Sequence, residues 1–144
     1  MILTRFKGGH VKCVDPQPAQ SVDVAFLSEP AVQDYLEGTA AYSAFKDGRC
    51  VACAGILAFD AHTAIVWALL SKHIGSSIIP VTRRCQALMR MFPAARFETA
   101  VMTGFPEGER WVQILGFKPG PSKAGLDVSY AELGVEAVTY VRHK

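Results

Sequence analysis

Cysteine is the residue type whose spacing most directly suggests chemistry in this chain. Of the four cysteines, at 13, 50, 53 and 85, two form Cys50-Val51-Ala52-Cys53. That is the spacing of a redox dithiol or of half a zinc site. The pair lies in an apolar run, Arg49 to Phe59, that reads as a β-strand, where residues three apart point to opposite faces. On that reading the two sulfurs do not converge, and no second paired motif completes a zinc site. The histidines, at 10, 62, 73 and 143, are scattered without ligand spacing. Buried structural thiols and no metal are the expectation. The basic clusters, Arg83-Arg84 and the stretch Val141-Arg142-His143-Lys144, sit in a chain of net charge +2. That is no footprint for nucleic acid, and both read as solvated faces and ends.

The elements that must position any site fit one domain over residues 1–144. Half the residues are hydrophobic and 19% are charged, which excludes a disordered chain. A mean hydropathy of +0.19 leaves room for some apolar surface covered by a partner. The longest apolar run, Ala64 to Leu70, is far too short to cross a bilayer. The start, Met1-Ile2-Leu3-Thr4-Arg5-Phe6-Lys7, lacks the apolar stretch of a signal peptide, so a cytoplasmic location is expected.

Met1 to Phe6 and His10 to Val14 read as short strands. Ser28-Glu29-Pro30 reads as a helix start with Ser28 as cap, and that helix ends at Gly38. Ala40 to Lys46, the turn Asp47-Gly48 and Arg49 to Phe59 form a hairpin. The continuously apolar Ala64–Leu70 suits a strand covered on both faces. Gly75-Ser76-Ser77 opens a helix whose apolar face is Ile78, Val81, Cys85, Leu88, Met89 and Phe92, stopped by Pro93. Arg96 to Met102 reads as a strand, and Pro106 to Leu115 as a helix capped by Gly116. Phe117-Lys118, a Pro/Gly-rich loop (119–125) and two strand-like pieces ending in Ala137–Val141 follow. The order implies a mixed α+β fold with a mainly antiparallel sheet flanked by helices.

The run Arg110-Trp111-Val112-Gln113-Ile114-Leu115-Gly116-Phe117-Lys118 resembles the closing motif of the GNAT superfamily, the acetyl-CoA-dependent N-acyltransferases. Alone it also fits an ordinary helix-to-strand junction. The element order extends the resemblance over about residues 40–118. It implies that the buried strand runs from Leu70 into a phosphate-binding loop, Lys72-His73-Ile74-Gly75-Ser76-Ser77. There, backbone N–H groups at a helix start would hold the pyrophosphate of coenzyme A. Leu70, Lys72, His73, Gly75, Ser76 and Ser77 are the cofactor-binding candidates, with Lys72 and His73 adding charge. The same stretch also reads as a serine-capped helix without ligand, and Pro80 removes one donor near its start.

The chain departs from the family at the chemistry. The tyrosine that often serves as general acid corresponds to Val112, and the indole of Trp111 beside it is no acid. The positions often held by asparagine and alanine are Phe105 and Gly108. No base lies in Ala64–Leu70, which leaves Glu98, equally readable as the partner of an arginine, as the candidate base.

A wider set joins Trp67-Ala68-Leu69-Leu70-Ser71, Thr82-Arg83-Arg84 and Arg96-Phe97-Glu98-Thr99-Ala100-Val101 to the closing motif. It is similar to a group of GNAT-like proteins encoded by tailed phages and prophages, often among virion genes. That resemblance implies a catalytically reduced virion or assembly component, located in the host cytoplasm or the particle, with other virion proteins or further copies of itself as partners. The alternative is an active N-acetyltransferase moving acetyl from acetyl-CoA to a small amine or protein amino group. A module that binds coenzyme A without turnover is a third reading.

Overall fold

Asp47 and Gly48 both take positive φ, 52° and 76°, which gives the tight hairpin turn that an Asp-Gly pair favours. The computed structural model describes residues 1–144. Its strands are β1 (Ile2–Arg5), β2 (Ala40–Lys46), β3 (Arg49–Ala58), β4 (Thr63–Leu70), β5 (Arg96–Met102), β6 (Lys118–Pro119) and β7 (Ala137–His143). Its helices are α1 (Ser21–Leu27), α2 (Pro30–Glu37), α3 (Ile78–Met91), α4 (Pro106–Ile114) and α5 (Leu126–Glu132). Short 3-10 turns occupy Gly8–Cys13, Pro18–Gln20 and Gly75–Ser77. Hydrogen bonding orders a seven-stranded sheet as β1-β2-β3-β4-β5-β7-β6. The β4–β5 pair is parallel, whereas β1–β2, β2–β3, β5–β7 and β6–β7 are antiparallel. The mixed, mainly antiparallel architecture is the one expected from the sequence.

The chain divides into two compact units, Met1–Ile56 with Trp67–Ala87 and Leu57–Val66 with Leu88–Lys144. In the first, the Trp67 ring meets Phe6 edge-on, with centroids 5.5 Å apart. A Cβ at Gly55 would lie 2.6 Å from Trp67 Nε1, so only glycine leaves room for this ring against β3. The indole N–H is buried without a partner. In the second unit, Leu115 and Phe117 are both buried. Gly116 takes φ +96°, and the Phe117 N–H reaches back to Val112 O at 2.9 Å. This is the left-handed helix end that the Leu-Gly-Phe run implies. Leu115→Ala is expected to cost about 2–5 kcal/mol through the cavity it leaves; a near-neutral urea midpoint would refute that core placement.

Several local expectations are corrected. His10–Val14 is not a strand: Gly8–Cys13 is a 3-10 turn whose His10 Nδ1 lies 2.7 Å from Ser43 Oγ. Ser28 does not start a helix. Its hydroxyl donates to Val24 O and closes α1, while α2 begins at Pro30 after Glu29. The first of the two pieces after the Pro/Gly-rich loop is α5, not a strand.

The Cys50–Cys53 geometry is also corrected, because the sulfurs do converge, 3.8 Å apart. The β2–β3 register runs Ala44↔Ala52 and then Phe45↔Cys50, so Val51 is an extra residue. This β-bulge returns Cys50 to the face that Cys53 shares with Ser43. Both thiols are buried. The Cys53 S–H bond to Cys50 holds the Cys50 thiol below its ordinary value, and pairing with Cys50 together with burial drives Cys53 far upward. Desolvation pushes Cys85 up to about 12. A bulky aromatic disulfide should therefore label the exposed Cys13 rapidly in the native protein, the half-buried Cys85 slowly because its thiol stays protonated, and the buried Cys50 and Cys53 only on unfolding. Rapid native labelling of Cys50 or Cys53 would refute their burial.

Candidate functional site

The helix start at Gly75 is built by the end of β4. Ser71 N–H bonds Val51 O at 2.9 Å, turning the odd-numbered backbone groups of β4 toward β3. The chain then leaves the sheet through Lys72, whose N–H bonds Asp15 O at 2.9 Å. Gly75 takes φ +51°, and a Cβ there would meet nothing within 4 Å. Gly75 and Ser76 are exposed at the head of the 3-10 turn that continues into α3, while Ser77 is buried. The first N–H groups of such a helix lack intrahelical acceptors and form a partial positive charge. This glycine-led helix start is open, with free space above it and the Gly75 and Ser76 backbone at its head.

The side chains expected to add charge are already engaged. His73 Nε2 lies 2.8 Å from Asp15 Oδ2, and Lys72 Nζ lies 3.6 Å from the same oxygen. All three are about half exposed, so these pairs are screened and weak. Asp15, absent from the sequence-derived candidates, partly neutralises Lys72 and engages the His73 ring.

Leu70 is placed at a different kind of contact. The parallel register pairs Thr63, Ala64 and Ile65 of β4 with Arg96, Phe97 and Glu98, and no pair follows Ile65. The even-numbered backbone groups beyond that point face the unpaired edge. Two of them are taken by one side chain: Leu70 N–H donates to Gln20 Oε1 at 3.0 Å, and Gln20 Nε2 donates to Ala68 O at 2.9 Å. Gln20 is 6% exposed. Its primary amide thus occupies the β4 edge as a strand neighbour's peptide would. No sequence signal marks this residue, because the contact spans 50 positions.

Glu98 is fully buried on β5. Its Oε2 accepts from Arg96 Nε (2.8 Å) and Lys123 N–H (2.9 Å), and its Oε1 from the Ser122 hydroxyl (2.7 Å) and Ala124 N–H (3.2 Å). Burial opposes ionisation, but the Arg96 guanidinium and the three other donors outweigh it and hold the carboxyl below its usual range. A carboxylate with two donors on each oxygen has its acceptor sites filled. Its surroundings are those of a lock between β5 and the 121–124 segment, which leads into α5 as Leu126 N–H bonds Ser122 Oγ.

On α4, Val112 and Trp111 are buried. Gly108 and Phe105 form a pair: a Cβ at Gly108 would lie 2.6 Å from the Phe105 ring. Sequence reasoning also missed Tyr140 of β7, which is buried with the Gln113 side chain near its phenol. Burial, with Glu109 nearby, raises its phenol and keeps it protonated. No three His, Cys, Asp or Glu side chains are grouped to hold a metal, and no helix is long and apolar enough to cross a membrane.

No family model and no curated protein matches the sequence. The fold, in contrast, is that of solved N-acetyltransferases. Ard1 from Thermoplasma volcanium superposes with a TM-score of 0.73 at 14% identity, over 99% of this chain and 96% of that one. An acetyltransferase from Streptococcus agalactiae gives 0.70 at 14% identity, over 99% and 98%. A GNAT-family acetyltransferase from Bacillus anthracis gives 0.64 at 9% identity, over 98% and 93%. The chain therefore has the GNAT acetyltransferase fold.

Proposed function

We propose that the protein is an N-acyltransferase that takes acetyl-CoA and an amine acceptor. The observation that carries this reading is the open helix start at Gly75-Ser76 at the end of β4, in a fold shared end to end with acetyltransferases. Bound acetyl-CoA would supply an activated acetyl group. The Gly75 and Ser76 N–H groups would hold its pyrophosphate, and Leu70 with Ala68 would offer strand-edge bonds to its amide-bearing arm once Gln20 swings aside. Catalysis would rest mainly on proximity. Val112 has no proton to give, Glu98 is committed to Arg96 and the 122–124 segment, and Tyr140 is the protonated phenol beside α4. Calorimetric titration with acetyl-CoA and CoA tests the reading: saturable micromolar binding supports it, and no binding at millimolar ligand overturns it.

The second reading is a catalytically reduced GNAT-fold component of a phage particle or its assembly. The filling of the β4 edge by Gln20 and the apolar Val112 favour its reduced catalysis, and its phage setting rests on the sequence resemblance alone. Copurification with particles at fixed stoichiometry is its expected result, and absence from purified particles refutes it.

A further inference from the structure

We propose that a cleft beside β6 and the end of β7 binds a small phosphorylated polyanion, independently of the acetyl-CoA reading. The cleft has a volume of about 520 Å³ and is lined by Arg96, Gly116, Lys118, Gly120, Arg142 and His143 among others. Its charge is one-sided. Arg96 is neutralised by Glu98 at 2.8 Å and also donates to Pro121 O. Lys118 and Arg142 have no carboxylate partner: the ion pairs of the protein involve Lys72, His73 and Arg96 alone. The one protein acceptor at the Arg142 guanidinium is Met89 Sδ, 3.6 Å from Nη1, and a thioether is a weak acceptor.

The cleft is also shaped. The Arg142 side chain lies over Gly116, where a Cβ would sit 3.2 Å from Nε and 3.3 Å from Cδ. Gly116 is thereby the residue that lets the guanidinium settle at the cleft wall. A Cβ at Gly120 would press on Val141 Cγ2 at 3.1 Å, so both glycines leave space that larger residues would fill. A half-buried guanidinium with an open donor fork is matched by the oxygens of a phosphate, which it binds through paired N–H groups. Lys118 adds a point charge from the edge strand, and His143 a ring nitrogen. The volume exceeds that of one phosphate group, which favours an organic phosphate with a second anionic group.

The experiment is calorimetric titration of the full chain with a hexose bisphosphate at physiological ionic strength, with citrate as a carboxylate of similar charge. Saturable binding that Arg142→Ala and Lys118→Glu each weaken about tenfold or more, and that Gly75→Asp leaves unchanged, is the expected result. Lys118 is exposed on a two-residue edge strand, so Lys118→Glu reads the site even where Arg142→Ala impairs folding. Absence of binding at millimolar ligand overturns the proposal, as does binding insensitive to Lys118→Glu. Loss of binding in Gly75→Asp would move the ligand to the helix start and also overturns it. Citrate binding as tightly as the bisphosphate would overturn the phosphate assignment.

Discussion

Glu98→Gln is expected to destabilise the protein by about 3–5 kcal/mol, the cost of breaking a buried ion pair from one side. The substitution keeps the side chain's shape but leaves the Arg96 guanidinium, with a side chain only 13% exposed, facing a neutral amide. It also turns one acceptor into an NH₂ group among donors: the Ser122 hydroxyl, Lys123 N–H and Ala124 N–H all point at this carboxylate. Urea unfolding would show a lowered midpoint with unchanged slope. The pH dependence carries a second signature. The folded Glu98 carboxyl lies below its ordinary value, so the unfolded chain binds its proton first as pH falls. Its contribution to stability is full above the unfolded carboxyl pKa of about 4.3 and is lost as pH drops from there through the folded value. The wild type should therefore lose stability below about pH 5 more steeply than Glu98→Gln. Equal acid profiles, or a loss under 1 kcal/mol, would refute the lock.

The same residue illustrates what the sequence reveals and what it hides. Arg96-Phe97-Glu98 is legible as a strand, and an arginine partner for Glu98 is a natural expectation at i, i+2 on one face. The other three donors come from the Ser122–Ala124 stretch, about 25 residues away, where composition announces only a loop. Elements whose signals are local were readable: the Asp47-Gly48 turn, the β5 bounds and the Gly116 cap. Those that depend on tertiary pairing were not. The Cys50–Cys53 convergence needs a bulge that appears only when β3 is set against β2. Ser21–Leu27 and Leu126–Glu132 are seven-residue helices, too short for a periodic pattern to show and dependent on packing for their stability. The helix start at Gly75 is legible because glycine there has a backbone reason, whereas the partner of Lys72 and His73 is Asp15, far along the chain.

Two substitutions in the first unit are expected to move acetyl-CoA affinity in opposite directions, and together they test the arrangement around β4. Gly75→Asp should weaken binding about a hundredfold or more. Its carboxylate would project into the open space above the helix start, where a phosphate would otherwise take the N–H groups, and like charges brought together cost several kcal/mol. The fold should survive, since a Cβ at Gly75 meets nothing within 4 Å and aspartate is among the residues that tolerate positive φ. Gln20→Ala should do the reverse. Gln20 holds Ala68 O and Leu70 N–H with two hydrogen bonds, each worth about 0.5–1.5 kcal/mol net. Any extended amide chain that pairs with this edge must first break them, so the free protein is competing with its own ligand. Truncation removes the competitor at some cost in stability, because the Leu70 N–H loses its partner until ligand arrives. About tenfold tighter acetyl-CoA binding, together with a lowered urea midpoint in the free protein, is the expected pattern. Unchanged affinity in Gln20→Ala with full loss in Gly75→Asp would mean that the pyrophosphate site is real and the edge of β4 takes no part. Unchanged affinity in Gly75→Asp would remove the helix start from the site altogether.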